Sequence, residues 1–170
     1  MSDRQMQRGQ QWLERLLYIA GFPAGVKTEP PAEALESNYS QEEAASYWLT
    51  IDPTNLTPSQ IDNLIGPEGA TIDAIQYLAN SILNLNQSRD EQSAYTIELN
   101  GYRLRRQAEL RSLTEYAANI VRETGKEFEI KSLSSAERRQ VHTFLQDCDD
   151  LETFSRGQEP DRRLVVRLRW

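Results

Sequence analysis

Residues 64–78 read LIGPEGATIDAIQYL, in which Gly66 and Gly69 separate two segments with helical patterns. Before the glycines, residues 57–60 form a capping box with proline at the first helical position, which predicts a helix start. The pattern therefore predicts a helix–GxxG–helix unit, because glycine allows close approach of the backbone at the loop. The apolar residues after the loop recur at helical spacing and predict one buried face, made of Ile72, Ile75, Leu78, Ala79, Ile82 and Leu85.

The composition is that of an ordinary globular protein. Of 170 residues, 38% are hydrophobic and 26% are charged, and the length suits one large domain or two small ones. Cys148 is the only cysteine and His142 the only histidine, which excludes an intramolecular disulfide and argues against a Cys/His metal site. The apolar runs are too short for a membrane span, and the polar start does not resemble a signal peptide. We expect a cytoplasmic protein without membrane insertion, metal or cofactor.

The net charge of −7 is distributed unevenly along the chain. Residues 1–90 contain 5 Lys/Arg and 12 Asp/Glu, whereas residues 91–170 contain 14 of each. Because an acidic surface repels phosphate, we expect any surface that faces a nucleic acid to lie in the second half.

Hydrophobic periodicity and turn residues predict a mixed order of helices and strands. Residues 29–43 are acidic, contain two prolines and are predicted to form a loop or linker. Residues 47–51 are expected to form a strand. The alternative is a helix, because residues 40–43 form a capping box that could start one. Besides the two helices around the glycines, the predicted helices cover residues 5–20, 102–124 and 138–147. The predicted strands cover residues 26–28, 47–51, 95–99 (half-buried), 126–131, 151–155 and 162–170.

A cluster of basic side chains is predicted around Arg138 and His142. These residues are four apart on a predicted helix, so they share a face, at the exposed edge of its apolar stripe. Arg139 points further out, and Arg162 and Arg163 begin the last strand, which approaches the same surface if strand and helix pack together. Guanidinium groups bind phosphate in a bidentate manner, so the cluster suits a phosphate ligand. The alternative is a surface pair that binds no ligand.

Two further patterns in the second half place arginines side by side. One face of the last strand is expected to present positive charge to solvent and contains Arg163, Val165, Arg167 and Arg169. The helix over residues 102–124 carries Arg103, Arg105, Arg106 and Arg111 near its start. For the four arginines of this helix, nucleic-acid binding and pairing with Glu109 and Glu115 are equal alternatives. The aromatic residues expected in the core, rather than in base stacking, are Trp12, Trp48, Trp170, Tyr77 and Phe144.

Two separate motifs give the chain a family resemblance. The first motif is Glu137-Arg138-Arg139-x-x-His142, followed by Gly157-x-Glu159-Pro160-x-Arg162-Arg163. It closely resembles the R-three-H domain, which is named for its Arg-x-x-x-His motif. Upstream, the chain contains Gly66-x-x-Gly69-x-Thr71-x-Asp73-Ala74 and Gly101-Tyr102-Arg103-Leu104-Arg105-Arg106. Together these motifs resemble the bacterial Jag-type proteins, which combine a KH domain with an R-three-H domain, and the resemblance covers nearly the whole chain.

The resemblance implies an α+β fold with two domains. It places a KH domain of the prokaryotic type (type II) in residues 1–100 and a small α/β R-three-H domain in residues 101–170, which includes a long joining helix. The family's separate N-terminal Jag domain is expected to be absent. A KH domain clamps the backbone of a single strand over its GxxG loop. Here Glu68 brings a negative charge to that loop and Pro67 lacks an amide hydrogen, so the alternative is a tight turn that does not contact RNA.

The resemblance also implies a function, namely binding of single-stranded RNA or another single-stranded nucleic acid in post-transcriptional regulation. No nucleophile–base arrangement can be assembled from the sequence, so we expect no enzymatic activity. The alternative function is a protein-interaction module whose acidic first half binds a basic partner, another KH protein or a second copy of the chain. The residues expected to contact nucleic acid are Arg138, His142, Arg139, Arg162, Arg163, Arg103, Arg105 and Arg106, with a weaker contribution from Gly66, Pro67, Glu68 and Gly69.

Overall fold

The computed structural model describes residues 3–29 and 46–169. Residues 30–43 of the predicted linker, which include the capping box at residues 40–43, and Trp170 lie outside the described residues. The rest is a mixed α/β structure that divides into two compact units, one up to Leu104 and one from Arg105 onward. Within the described ranges, no helix combines the length and the apolar character that crossing a membrane requires.

The first unit contains a three-stranded mixed sheet in the order β1-β2-β3. Strand β1 runs antiparallel to β2, and β2 runs parallel to β3. A parallel pair needs a long crossover connection, and helices α2 and α3 supply it. The elements are α1 (Asp3–Ile19), β1 (Val26–Lys27), β2 (Tyr47–Ile51), α2 (Pro58–Ile65), α3 (Ala70–Leu83) and β3 (Tyr95–Leu99). The sequence predictions of these elements are confirmed, as is the capping box in which Thr57 and Gln60 bond each other's backbone amides.

Strand β3 is more buried than predicted. The alternation predicts one solvated face, but all five residues are buried, including Thr96 and Glu98. The Thr96 hydroxyl lies 2.6 Å from that of Ser46, and the Glu98 carboxylate accepts hydrogen bonds from the amides of Leu99 (2.6 Å) and Arg103 (3.1 Å). Polar side chains can be buried there because local donors and acceptors satisfy them. Burial raises the pKa of Glu98, although these amide hydrogen bonds act in the opposite direction.

The predicted apolar face of α3 is partly wrong. The buried residues of this helix are Ile72, Ile75, Ala79 and Leu83, spaced by three and four as one stripe requires. The helix contains more apolar residues than that stripe can hold, so a neighbouring stripe remains exposed. It contains Tyr77 (72% exposed), Leu78 (43%) and Ile82 (45%), with Leu85 (64%) just beyond the helix.

Other expectations about the core have mixed outcomes. Trp48 is buried, and Trp12 and Phe144 pack half-buried against the cores of their units, as expected. Tyr77 is exposed, so its assignment to the core is wrong. Ile19, at the end of α1, is 69% exposed, because the buried stripe of that helix ends at Leu17.

The second unit packs two helices on an antiparallel sheet in the order β4-β6-β5. Its first helix begins within the first unit and ends at Gly125, whose positive φ of 68° suits a glycine after a helix. The elements are α4 (Tyr102–Thr124), β4 (Phe128–Ile130), α5 (Ser135–Leu145), β5 (Leu151–Arg156) and β6 (Arg163–Leu168). The core residues shared by these elements are Leu110, Ala117, Val121, Ile130, Val141, Leu145, Leu151, Leu164 and Val166.

The face of β6 that is expected from the sequence to present positive charge instead carries a layer of ion pairs at Arg163 and Arg167, whereas Arg169, just beyond the strand, is exposed. Val165, at its centre, is fully buried opposite Phe154. Arg163 pairs with Glu129 (2.8 Å) and Arg167 pairs with Glu152. The layer is completed by Arg156, which pairs with Glu127 (2.6 Å) and Glu129 (3.1 Å). The guanidinium groups of Arg156 and Arg167 also lie over the Phe154 ring, 5.4 and 4.9 Å from its centroid. The three arginines and three glutamates compensate one another, because strand pairing places them on the same face.

The ion-pair layer makes stability sensitive to acid. Hydrogen bonds from Arg156 and Arg163 lower the pKa values of Glu127 and Glu129, respectively, below the usual value of 4.5. Because each folded-state pKa is lower than the unfolded one, the pairs add stability above about pH 4.5 and lose it as the pH falls through the lowered values. We expect Tm, followed by circular dichroism, to fall between about pH 6 and about pH 3. The Glu127→Gln/Glu129→Gln variant should show a shallower fall, and an unchanged slope would contradict this role.

Candidate nucleic-acid interface

The start of α5 is fixed by Ser134 and Glu137. The Ser134 hydroxyl accepts a hydrogen bond from the Glu137 amide (3.2 Å), and the Glu137 carboxylate accepts one from the Ser134 amide (2.9 Å). The other Glu137 oxygen accepts a hydrogen bond from Arg106 Nε (2.6 Å), and Arg106 also pairs with Glu109 (3.2 Å). Arg106, expected to contact nucleic acid, therefore joins α4 to α5.

Arg138 is buried, and the expectation that it lies exposed at the edge of the apolar stripe is wrong. Its side chain is only 6% exposed. One guanidinium nitrogen donates to the carbonyl of Leu133 (2.7 Å), and another forms an ion pair with Glu159 in the loop before β6. A buried guanidinium needs such partners, because an unpaired charge in the interior is costly. Arg138 therefore connects α5 to that loop.

His142 is half-buried one turn after Arg138. Its Nδ1 lies 2.5 Å from the hydroxyl oxygen of Thr153 on β5, a hydrogen bond that orients the ring. Burial lowers the pKa of His142, and the positive charge of Arg138 lowers it further, so the ring is neutral at neutral pH. Among the described residues, none bonds the Nε2 atom, which is available to a ligand.

Two further predicted arginines are exposed, one on α5 and one in the loop that contains Glu159. Arg139 is exposed and is three residues from His142, so the two are neighbours on the surface of α5. Arg162 is also exposed, and no carboxylate in the part of the chain that the structure describes pairs with it. It follows Glu159 by three residues, which span at most about 10 Å. Arg139, His142 and Arg162 are called the rim below.

The remaining arginines that are predicted to contact nucleic acid are not part of the rim. Arg163 pairs with Glu129 in the ion-pair layer, and Arg105 is an exposed residue of α4. In the first unit, Arg103 donates to Asp73 (2.5 Å), to Gln76 (3.0 Å) and to the carbonyl of Ile97 (3.0 Å). Its side chain, 17% exposed, is thus satisfied within its own unit.

The GxxG loop is shaped by contacts within the first unit. Gly66 and Gly69 have positive φ values of 74° and 80°, and Glu68 between them has a φ of 52°. A Cβ atom on Gly69 would clash with the hydroxyl of Tyr102, and one on Gly66 would clash with the side chain of Thr71. The Tyr102 hydroxyl also donates to the carbonyl of Glu68 (3.0 Å). Both glycines are therefore required by packing within the chain, whether or not the loop contacts RNA.

Sequence reasoning misses two residues that shape these sites. Glu159 is part of the quoted motif, but the sequence analysis assigns it no role. Its position between the arginines of α5 and those of β6 could have indicated an ion pair with one of them. Tyr102 is predicted only as the first residue of a helix, and nothing in the local pattern indicates its contact with Gly69. Within the described ranges, no group of three or more His, Cys, Asp or Glu residues is arranged to hold a metal ion.

Arg138 and Arg139 allow a direct comparison of a buried and an exposed arginine. Arg138→Ala leaves the carbonyl of Leu133 without its donor and Glu159 without its cation, so we expect it to lower the free energy of unfolding by about 2 kcal/mol. Arg139→Ala, on the next residue, should change that free energy by less than about 0.5 kcal/mol. Urea unfolding of both variants measures the difference. Equal effects would show that Arg138 does not support the fold.

The sequence of the chain is similar to those of known proteins. Residues 108–168 match the R-three-H domain family. The chain is 30% identical over 115 residues to RNA-binding protein KhpB of Clostridium symbiosum, an alignment that covers 68% of this chain and 51% of that protein. It is 36% identical over 106 residues to RNA-binding protein KhpB of Lactiplantibacillus plantarum, covering 62% of this chain and 32% of that protein.

A third relative, RNA-binding protein KhpB of Bacillus subtilis, is 29% identical over 114 residues, which cover 66% of this chain and 54% of that protein. The chain thus spans about half, or less, of the length of the curated relatives it matches. It contains an R-three-H domain over residues 108–168 and is homologous to bacterial proteins that are named RNA-binding protein KhpB.

Proposed function

We propose that this chain is a non-catalytic RNA-binding protein that holds single-stranded RNA through its R-three-H domain. The observation that carries the proposal is the family match over residues 108–168, together with relatives that are named RNA-binding proteins. Post-transcriptional regulation in the cytoplasm is the setting we propose, as the resemblance implies.

The rim is the surface we assign to the phosphates. Arg139 and Arg162 are exposed, and none of the described residues bonds the Nε2 atom of His142. An exposed guanidinium group can turn toward a phosphate and form two hydrogen bonds to it. Arg138 has a different role in this proposal, because its ion pair with Glu159 holds the loop that carries Arg162. The side chains of Arg103 and Arg106 are only 17% and 18% exposed and contribute less.

We further propose that the first unit is a KH domain of the prokaryotic type, joined by α4 to the R-three-H domain, with residues 1–100 and 101–170 as the two domains. The order of helices and strands around the GxxG loop and the mixed three-stranded sheet support this assignment. Its loop is a weak RNA contact in the proposal. Glu68 repels phosphate, Pro67 lacks an amide hydrogen, and both glycines serve internal packing.

Removing the two rim arginines tests the proposed function. Arg139→Ala/Arg162→Ala should lower the affinity for a short oligocytidine roughly tenfold and reduce the slope of log K against log salt by roughly 1 to 1.5, since each single-strand phosphate contact contributes about 0.7. Fluorescence anisotropy over a salt series measures both values. The charge-matched control is Arg4→Ala/Arg89→Ala in the first unit, where both arginines are exposed. Equal losses in the two variants would move the phosphate contacts away from the rim.

A second candidate function has an observation in its favour. The exposed apolar stripe of Tyr77, Leu78 and Ile82 on α3 is unusual for a solvated helix face and favours a protein-interaction role for the first unit. In this alternative, that unit binds a second copy, another KH protein or a basic partner. Sedimentation of the full chain should then reveal self-association that Leu78→Ser/Ile82→Ser abolishes. A chain that is monomeric at all concentrations would exclude the second copy as the partner.

A further inference from the structure

A groove in the second unit lies between α4 and the C-terminal part of α5. Its volume is about 600 Å³, and its lining includes Arg111, Asn119, Phe144 and Cys148. Phe144 follows His142 by two residues, which corresponds to roughly 200° around a helix. The groove therefore opens on the side of α5 that faces away from His142, and its lining contains none of the three rim residues.

An arginine and an aromatic ring are stacked in this groove. The guanidinium carbon of Arg111 lies 5.2 Å from the Phe144 ring centroid. No carboxylate among residues 3–29 and 46–169 pairs with Arg111, so its charge and its planar face are available to a ligand. Planar guanidinium groups and aromatic rings are the surfaces on which unpaired RNA bases stack.

The polar groups around this stack suit a base better than a phosphate. Asn119 is exposed, and nothing in the described ranges bonds its side-chain amide, which can pair with a base edge. Glu115 lines the groove one helical turn after Arg111 and would repel a phosphate, but it can accept a hydrogen bond from an exocyclic amino group.

The second cation of the groove is already neutralised. Arg122 donates to Asp150 through Nε (2.6 Å) and Nη2 (3.0 Å). This hydrogen-bonded pair raises the pKa of Arg122 and keeps the guanidinium charged but compensated. The groove thus offers stacking and hydrogen bonding without an excess of positive charge.

We propose that this groove holds one unpaired base of a bound RNA strand, stacked on the Arg111–Phe144 pair, while the phosphates of the strand remain outside. The inference rests on the proposed RNA binding and adds a base-binding site to it. A base with an exocyclic amino group, such as cytosine, fits the acceptor that Glu115 supplies.

Cys148 provides a direct test, because the only cysteine of the chain lines the groove and is half-buried there. A saturating short oligocytidine should slow its alkylation by N-ethylmaleimide several-fold. The control probe is an abasic oligomer of the same length, which keeps the phosphates and lacks the bases. It should protect Cys148 much less when enough is added to occupy the protein equally.

Matched substitutions give a second readout. Arg111→Lys keeps the charge but loses the planar stacking face, and we expect it to lower oligocytidine affinity roughly tenfold while leaving the salt dependence unchanged. Asn119→Ala should weaken binding in the same way. Arg169→Lys, the same substitution at an exposed arginine of this unit, serves as the control and should bind like the parent.

The outcomes separate this inference from the proposed function. Protection by oligocytidine but not by the abasic oligomer, with weaker binding of Arg111→Lys, supports the base site. Bound oligocytidine that leaves the alkylation rate unchanged, or equal protection by both oligomers, overturns the base site and leaves RNA binding intact. If no oligomer binds even at low salt, the proposed function fails as well.

Discussion

The ion pair between the buried Arg138 and the largely exposed Glu159 is the constraint that links α5 of the second unit to the loop before β6. A guanidinium that is 6% exposed cannot remain there without partners, and its partners come from the chain just before α5 and from the loop before β6. This one side chain therefore connects the start of α5 to the loop that also carries Arg162. It also lies one turn from His142, whose pKa it lowers after the larger effect of burial.

The secondary structure could be predicted because local signals agreed with the final packing. The capping boxes at Thr57 and Ser134 each start a helix, as written in the sequence. The choice of buried face on α3 could not be predicted in the same way, since Leu78 and Ile82 are as apolar as Ile75. Which stripe is buried is decided by the strands and helices that pack against α3, and periodicity alone does not contain that information.

The sequence predicts the helical spacing of Arg138 and His142 but not the surroundings of either side chain. The spacing of Arg138 and His142 correctly places them on one face, yet only the fold reveals that Arg138 is buried by a loop about twenty residues later in the chain. The sequence predicts a positive arginine face on β6, and this is wrong because pairing with Glu129 and Glu152 depends on strand order and register. Charge counted along a sequence does not distinguish available cations from compensated ones.

That distinction bears on the mechanism of the RNA binding that we propose. The second half contains as many acidic as basic residues, and carboxylates in the chain neutralise Arg106, Arg122, Arg138, Arg156, Arg163 and Arg167. With so many arginines compensated, electrostatic attraction to phosphate can supply only part of the affinity, since that attraction scales with the number of phosphate contacts. The remainder must come from contacts that need no net charge, and base stacking is the strongest of these for a single strand. The Arg111–Phe144 pair offers such a surface on a unit whose sheet face is neutral.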